Sequence, residues 1–333
     1  MTNSTIPRLS NSTLPYGPSW TFSPSFTLSV QISAILMNGS VLTLFVRSPS
    51  LLTPFTIYVM NLFLANLSCA ILFYTIELVS GLYSYWWRGH AACTYYNYTN
   101  WIFNAAMCNA HALIALNRLW AVTFPVSYQL YHRKRFALGL CAAMWIYLHA
   151  CLLPGIIQDA LWYRLPEETN GCLVNTSAQQ KYAWAMQIIV YDIPEALVLL
   201  TYPVICYKTW KRRRANNVQP SGANRGRLNC RNPGTAPSGT AALSEGGTIS
   251  RTGRRTRKVN HGFLSLTLMT LTVLICYSPG QTYFTLLLIF SIDIPNMYPI
   301  TSAMNALIIV LDPIWFVLAV TDLRNAFRRT YCG

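Results

Sequence analysis

The chain has 333 residues, of which 53% are hydrophobic and only 11% are charged, and its formal net charge is +15. A soluble domain usually carries about 25% charged residues, so this composition indicates a protein surrounded mostly by lipid. The sequence leaves no room for a soluble catalytic domain and has no nucleophile elbow, metal-ligand spacing or phosphate-binding loop. We therefore expect neither an enzyme nor a bound cofactor or metal.

Residues 1–25 are polar and proline-rich, without the basic and then apolar start of a cleavable signal peptide. The first membrane span is therefore expected to act as its own insertion signal. Asn3 and Asn11 begin sequons in this segment, and Asn175 begins a third one further along the chain. We predict an extracellular N-terminus and N-glycosylation at these three asparagines.

Seven windows of about 20 residues are apolar enough to predict membrane helices. They are Phe26–Val46, Phe55–Ser80, Cys93–Val122, Phe136–Ile157, Trp184–Tyr207, Gly262–Phe290 and Met297–Val320. The third window is the least apolar and is accepted for its polar pattern. The predicted fold class is an all-α membrane protein: helices 1–5 within residues 26–207, helices 6 and 7 within 262–320, and a short amphipathic C-terminal helix.

The basic residues are distributed unequally between the two sides of this bundle. Of 25 lysines and arginines, only Arg8, Arg88, Arg164 and Lys181 fall on the side of the N-terminus. Basic residues are retained in the cytoplasm, so the N-terminus is expected outside and the C-terminus inside. The net charge therefore indicates the orientation of a multi-pass plasma-membrane protein, and no nucleic-acid partner is expected.

The cytoplasmic segments are basic. Residues 208–261 have a basic run at each end and a middle rich in Gly, Ser, Pro and Asn, which predicts a long, largely disordered third intracellular loop. In residues 321–333, Leu323 and Phe327 alternate with arginines and predict an amphipathic helix at the membrane interface. Cys332 is a candidate palmitoylation site, and an unmodified cysteine is the equal alternative.

Polar residues recur along one face of three spans, and in a membrane helix such a face turns away from lipid. They are Asn97, Asn100, Asn104, His111 and Arg118 in the third span, Gln187, Tyr191, Glu195 and Tyr202 in the fifth, and Tyr298, Thr301, Asn305 and Asp312 in the seventh. In the outer half these residues indicate a ligand-accessible cavity. For His111 and Asn109 we favour hydrogen bonds to adjacent helices.

Ten cysteines in a chain of this size do not indicate a disulfide scaffold. Cys93 lies at the outer end of the third span and Cys172 in the outer loop after the fourth span. Both are in oxidising space, and we expect them to be bridged.

Several motifs stand in register with this topology: ALNRLWAVTFPVSY at 115–128, CYSP at 276–279 and DPIWF at 312–316. With Asn38, Trp145, Pro194, Tyr202 and the stretch WWRGHAAC at 86–93, they resemble rhodopsin-like (class A) G-protein-coupled receptors over nearly the whole chain outside the termini and third inner loop. The resemblance implies a receptor that binds an extracellular ligand in the outer half of the bundle. It also implies activation of heterotrimeric G proteins by opening of the cytoplasmic face.

The resemblance implies roles in coupling or activation for eight residues. They are Asn117, Arg118, Tyr202, Tyr277, Pro279, Asp312, Pro313 and Phe316. Asn117 replaces the family's acid before the arginine, Tyr277 replaces a tryptophan, and Phe316 replaces a tyrosine. Because an amide supplies no charge to hold Arg118, we expect a weakly held resting state with raised basal signalling, which Asn117→Asp would lower.

The central polar pair of the family is exchanged in this chain. The family has a carboxylate in the second span and an asparagine in the seventh, where this sequence has Asn66 and Asp312. We predict a network of Asn38, Asn66 and Asp312, with Pro313 bending the helix and freeing a backbone carbonyl. Three residues lack the oxygens that help such receptors hold sodium, which predicts weak sodium sensitivity: Met107, Ile308 and Ile309.

Candidate ligand contacts are the polar and aromatic residues of the outer half. They are Glu77, Asn97, Asn100, Asn104, Gln187, Tyr191, Glu195, Tyr277, Gln281, Phe284, Tyr298, Thr301 and Asn305. Asn100 stands where amine receptors have an aspartate, and Ala306 stands where opsins have the retinal-binding lysine, so we expect neither ligand. Acidic residues, with Glu77 and Glu195 foremost, favour a cationic or neutral ligand.

We expect a neuropeptide-type receptor, of an invertebrate, for a short peptide; a small polar or lipid ligand is the alternative. Two other classes of function stay open. A receptor-like protein without G-protein coupling, acting as a scaffold or scavenger, would explain the altered activation motifs. A channel or transporter would fit seven spans, but the sequence shows no inverted repeat and no ring of charges. The expected partners are the ligand, a heterotrimeric G protein and membrane lipid.

Overall fold

The computed structural model describes residues 18–83, 86, 88–217, 267–292 and 294–331. Within these residues it has seven long helices and a short C-terminal one, besides short helices in the loops at Pro125–Tyr131 and Glu167–Asn170. The seven long helices and the C-terminal one are α1 (Phe22–Arg47), α2 (Pro54–Gly81), α3 (Gly89–Thr123), α4 (Lys134–Tyr163), α5 (Gln180–Lys211, continuing to Asn217), α6 (Thr267–Phe290), α7 (Met297–Ala319) and α8 (Thr321–Tyr331). The predicted seven-helix membrane fold with a short C-terminal helix is confirmed.

Six of the described helices are long and apolar enough to cross a membrane. Among the described long helices, α3 alone is too polar to meet this criterion. α3 has 35 residues, and its polar face explains its lower hydropathy. The large apolar side chains left exposed on the outer faces, such as Ile146 and Leu200, are those that lipid would cover. Some sequence predictions concern residues outside the described ranges: Asn3, Asn11, Cys332, residues 218–261 and the first turn of the sixth span.

α3 lies at the centre of the bundle and packs against α2, α4 and α5. α1 packs against α2 and α7, and α6 packs against α5 and α7, which closes the ring of helices. The core is filled by apolar side chains such as Phe63, Ile102 and Phe316, all completely buried. A helix enclosed in this way can carry polar side chains along its whole length, because none of them needs to face lipid.

Local chemistry sets where several helices begin. α2 starts with a capping box: the Thr53 hydroxyl accepts from the Thr56 amide at 3.2 Å, and the Thr56 hydroxyl accepts from the Thr53 amide at 2.7 Å. Pro54 follows at the first helical position, where its missing N–H costs nothing. Between α6 and α7, Asn296 adopts a left-handed conformation with φ of 62°, which asparagine tolerates better than most residues.

Two prolines inside membrane helices are each compensated by an asparagine of a neighbouring helix. Proline has no N–H, so it leaves the carbonyl four residues earlier without its helical partner. Asn38 of α1 donates to the Ile309 carbonyl at 2.8 Å, four residues before Pro313. Asn109 of α3 donates in the same way to the Val190 carbonyl at 2.9 Å, four residues before Pro194.

Candidate functional site

The outer end of the bundle holds an acidic group among aromatic rings of α2, α3 and α7. The Tyr96 hydroxyl donates to Glu77 Oε2 at 2.5 Å. Tyr298 is 46% exposed, and its ring lies 6.1 Å from that of Phe284, edge to face. A carboxylate beside electron-rich rings is an arrangement that binds cationic groups, by charge and by cation–π attraction.

Three asparagines form a row that joins α3 to α7 below this region. Asn104 Nδ2 donates to Asn100 Oδ1 at 2.7 Å, and Asn305 Nδ2 donates to Asn104 Oδ1 at 2.9 Å. The side-chain amide oxygen of Asn305, Oδ1, is buried and has no hydrogen-bond partner among the described residues. The row therefore keeps hydrogen-bonding capacity for a polar ligand.

A second acidic cluster links α5 to α6. Gln187 Nε2 donates to Asp192 Oδ1 at 2.9 Å and to Gln281 Oε1 at 3.1 Å, and Thr285 also donates to Asp192. Glu195 is 8% exposed, one turn deeper on α5. The outer half thus presents carboxylates on two opposite sides of the bundle.

Several of the predicted contact residues have partners within the protein. Asn97 is buried against the disulfide, with its Nδ2 3.4 Å from both sulfurs. The Tyr191 hydroxyl donates to the Trp101 carbonyl at 2.9 Å, and the Thr301 hydroxyl to carbonyls of its own helix. Tyr277 is buried beside Cys108. Helical periodicity predicts that these residues face inward, but not which partner each one meets.

The outer loop after α4 is covalently tied to α3. Cys93 and Cys172 form a disulfide, as predicted. Glu167 of this loop contacts His90 at 3.1 Å and is buried, so it is not free to meet a ligand. Asn175 Nδ2 donates to the Tyr163 carbonyl at 2.8 Å, and a glycan at this sequon would replace one of the two Nδ2 hydrogens.

At mid-depth, Asp312 is completely buried and meets two other helices. Asn66 Nδ2 of α2 donates to Asp312 Oδ2 at 3.0 Å, and His111 Nε2 of α3 lies 3.2 Å from the same oxygen. The network differs from the prediction in one respect: Asn38 donates to backbone carbonyls rather than to Asp312. His111, which we expect to contact an adjacent helix, is a neighbour of the carboxylate on α7.

Below Asp312, Phe316 packs edge to face on Phe63 of α2, with 5.5 Å between ring centroids. The loss of the tyrosine hydroxyl at this position therefore leaves an apolar α2–α7 contact. At the cytoplasmic ends of α5 and α6, the Tyr202 hydroxyl donates to Thr267 at 3.3 Å. Pro279 follows a π-helical turn, Val273–Tyr277, which widens α6 next to the proline.

At the cytoplasmic end of α3, Arg118 and Asn117 point to different partners. The guanidinium of Arg118 stacks on the Phe55 ring, with its Cζ 3.4 Å from the centroid. Asn117 Nδ2 donates to His132 Nε2 at 2.8 Å, and the Tyr128 hydroxyl donates to Asn117 Oδ1 at 3.3 Å. Burial first, and then the positive charge of Arg118, lower the pKa of His132, which keeps its Nε2 free to accept.

Residues 37–316 match the model of the rhodopsin family of seven-transmembrane receptors. The chain belongs to this family. The matched family is one of receptors rather than enzymes, as expected from the sequence, and the multi-pass membrane architecture follows from it.

The receptor is similar to several characterised members of the family. It is 25% identical over 204 residues to G-protein coupled receptor 183 of Rattus norvegicus, covering 60% of this chain and 57% of the relative. It is 28% identical over 211 residues to human melanopsin, covering 60% and 42%. It is 26% identical over 217 residues to the alpha-2B adrenergic receptor of Didelphis virginiana, covering 65% and 54%. The alignment thus spans about half the length of these relatives.

Sequence reasoning missed several partners in this receptor. Phe55 beneath Arg118, Tyr96 beside Glu77 and His132 beside Asn117 were not singled out, because no local pattern links them to residues on other helices. For His111 the sequence indicated the polar face of α3 and contact with an adjacent helix, but not that Asp312 would be the neighbour.

Proposed function

We propose that this receptor binds an extracellular ligand in the outer half of its bundle and activates heterotrimeric G proteins at its cytoplasmic face. One observation carries the proposal: polar contacts join α3 to α7 at two depths, Asn104 to Asn305 and His111 to Asp312, above Arg118 on the same face of α3. A ligand that shifts α3 relative to α7 at the Asn104–Asn305 contact would also change the His111–Asp312 contact, because both join the same two helices. The proposed orientation has the N-terminus outside the plasma membrane, with glycans at Asn3 and Asn11.

The proposed ligand is a short, cationic or neutral peptide. The supporting feature is the pair of acidic clusters on opposite sides of the outer bundle, at Glu77 and at Asp192 with Glu195. A ligand with two separated polar groups would engage both clusters, whereas a small amine would engage only one. Asn100 offers no carboxylate to an amine, and α7 contains no lysine to which retinal could bind.

The test begins with a peptide library applied to cells that express the receptor, with calcium and cyclic AMP measured together. Nucleotide exchange on purified G proteins is then measured with the native receptor and with Arg118→Ala. We expect the active peptide to stimulate exchange through the native receptor, and the variant to bind the peptide equally well without stimulating exchange.

A second candidate function is a receptor-like scaffold or scavenger without coupling. It is favoured by the altered activation residues, since Phe316 packs on Phe63 without a hydroxyl and Asn117 is hydrogen-bonded to His132 and Tyr128 rather than paired with Arg118. Peptide binding without exchange on any G protein, by the native receptor, would support this second function and contradict the first.

A further inference from the structure

A cavity of about 720 Å³ opens at the cytoplasmic end of the bundle, between the ends of α1, α2 and α7 and the helix α8. Volumes of this size are typical of sites for small molecules. Its described lining includes two guanidinium groups, Arg118 and Arg329, and one carboxylate, Asp322. The charged groups of the wall therefore sum to a net positive charge.

Neutral hydrogen-bond donors surround these charges. The wall carries the hydroxyl or amide groups of Ser48, Ser50, Thr53, Thr321, Asn325 and Thr330. Such groups can donate to the oxygens of an anion without adding charge. They come from the α1–α2 connection and from α8, so an anion between them would be held from two sides.

Arg118 is a cation in the wall of this cavity that lacks a hydrogen-bonding partner among the described residues. It is partly buried and stacked on Phe55, and no hydrogen bond or ion pair joins it to another described residue. A guanidinium withdrawn from water is stabilised by an anion that accepts its N–H groups, and phosphate does so bidentately. The stacking on Phe55 leaves the edge of the guanidinium plane available for this purpose.

We propose that the cavity is a binding site for a phosphate-bearing anion, held by Arg118 from above and Arg329 from below. α8 borders the cavity at the inner membrane surface, and its Tyr331 hydroxyl reaches the Ser40 carbonyl of α1 at 3.2 Å. The headgroups of the cytoplasmic leaflet are anionic, so the phosphate of a phosphoinositide headgroup lies within reach. A soluble phosphate ester would present the same chemistry.

Occupancy would have a regulatory consequence, which rests on the proposed function. An anion on Arg118 would take the place of the missing carboxylate and hold this arginine away from a G protein. Binding of the anion itself requires neither a ligand nor a G protein, so its test is independent of coupling.

The experiment uses the full-length receptor in phosphatidylcholine nanodiscs and three probes: a short-chain phosphatidylinositol bisphosphate, inositol trisphosphate and inorganic phosphate. Arg329→Gln should weaken binding about tenfold, the effect expected for one charge-assisted contact. Arg328→Gln is the matched control, because Arg328 is the exposed neighbour on α8 and does not line the cavity. Arg118→Gln should weaken binding as Arg329→Gln does, and thermal melting verifies that each variant is folded.

The pattern across the probes identifies the source of the phosphate. Binding of the lipid alone indicates a membrane headgroup, and binding of inositol trisphosphate as well indicates that a soluble ester suffices. Equal weakening by Arg329→Gln and Arg328→Gln would mean general attraction to a basic surface and would overturn the proposal. The absence of saturable binding of all three probes would overturn it as well.

Discussion

At the scale of single residues, Asp312 is the side chain whose position needs the most explanation. A carboxylate at the centre of a membrane helix costs about 2.5–3.5 kcal/mol on insertion scales. In the folded receptor it accepts from Asn66 and faces His111, all three side chains being buried. The hydrogen bond from Asn66 offsets part of this cost, and Asp312 lies where α2, α3 and α7 meet.

We expect Asp312→Asn to reduce ligand-stimulated nucleotide exchange, because it removes the charge between Asn66 and His111. Adding Asn66→Asp should restore part of the activity, since it returns a carboxylate to the same pair from the opposite helix. Exchange on purified G proteins measures the effect. The control is Asn61→Asp added to Asp312→Asn, which should restore no activity. Asn61 is also a buried asparagine of α2, but it accepts from Trp145 rather than binding Asp312. A double variant no better than Asp312→Asn would contradict the pairing.

At the scale of helices, prolines and asparagines act as matched pairs across the bundle. Asn38 and Asn109 each donate to the carbonyl that a proline on another helix has left without a helical partner. In lipid such a carbonyl has no water to bind, so the neighbouring helix must supply the donor. These hydrogen bonds join α1 to α7 and α3 to α5, and they fix how far the two helices of each pair are shifted along each other.

The α3–α5 pair can be tested by a double-mutant cycle. Asn109→Ala should lower the free energy of unfolding by about 1 kcal/mol, the usual contribution of one hydrogen bond. In a Pro194→Ala background the loss should be smaller, because the alanine N–H can bind the Val190 carbonyl in place of Asn109. Thermal or denaturant unfolding in nanodiscs measures the free energy of unfolding of the native receptor, the two single variants and the double variant. Equal losses in both backgrounds would show that Asn109 acts through its other contacts.

At the scale of the whole molecule, side-chain hydrogen bonds from α5 and α7 reach the cytoplasmic half of α6. Trp315 Nε1 of α7 donates to the Thr272 hydroxyl of α6 at 2.8 Å, and Tyr202 of α5 contacts Thr267 of α6 at 3.3 Å. The proposed opening of the cytoplasmic face would have to break or rearrange these contacts.

Trp315→Phe should raise exchange in the absence of ligand by up to about fivefold, equivalent to about 1 kcal/mol of lost closed-state stability. The indole N–H is removed while most of the ring packing stays. Trp210→Phe, on the exposed surface of α5, is the control and should leave basal exchange unchanged. Unchanged basal exchange in Trp315→Phe, with normal ligand response, would mean that the α6–α7 contact does not restrain opening.

Much of the fold could be predicted from the sequence, because hydrophobic length and the 3.6-residue period are properties of each helix alone. The polar face of α3 was predicted on this basis, and the disulfide from the placement of Cys93 and Cys172 outside the membrane. The candidate site was less accessible to prediction. The sequence indicated that Asn97 and Tyr191 face inward, but their depth relative to the disulfide and to Trp101 depends on neighbouring helices.

The sequence by itself determined the number of helices, the inward faces of α3, α5 and α7 and the membership of a receptor family. Only the tertiary structure decided the partners: His111 with Asp312, Asn38 with the carbonyl before Pro313, and Arg118 with Phe55. The physical reason is the sequence separation between the residues that make each kind of contact. Helix formation depends on residues three or four apart, whereas Asn38 and Ile309 are 271 positions apart, and their contact depends on how far α1 and α7 are shifted and rotated against each other.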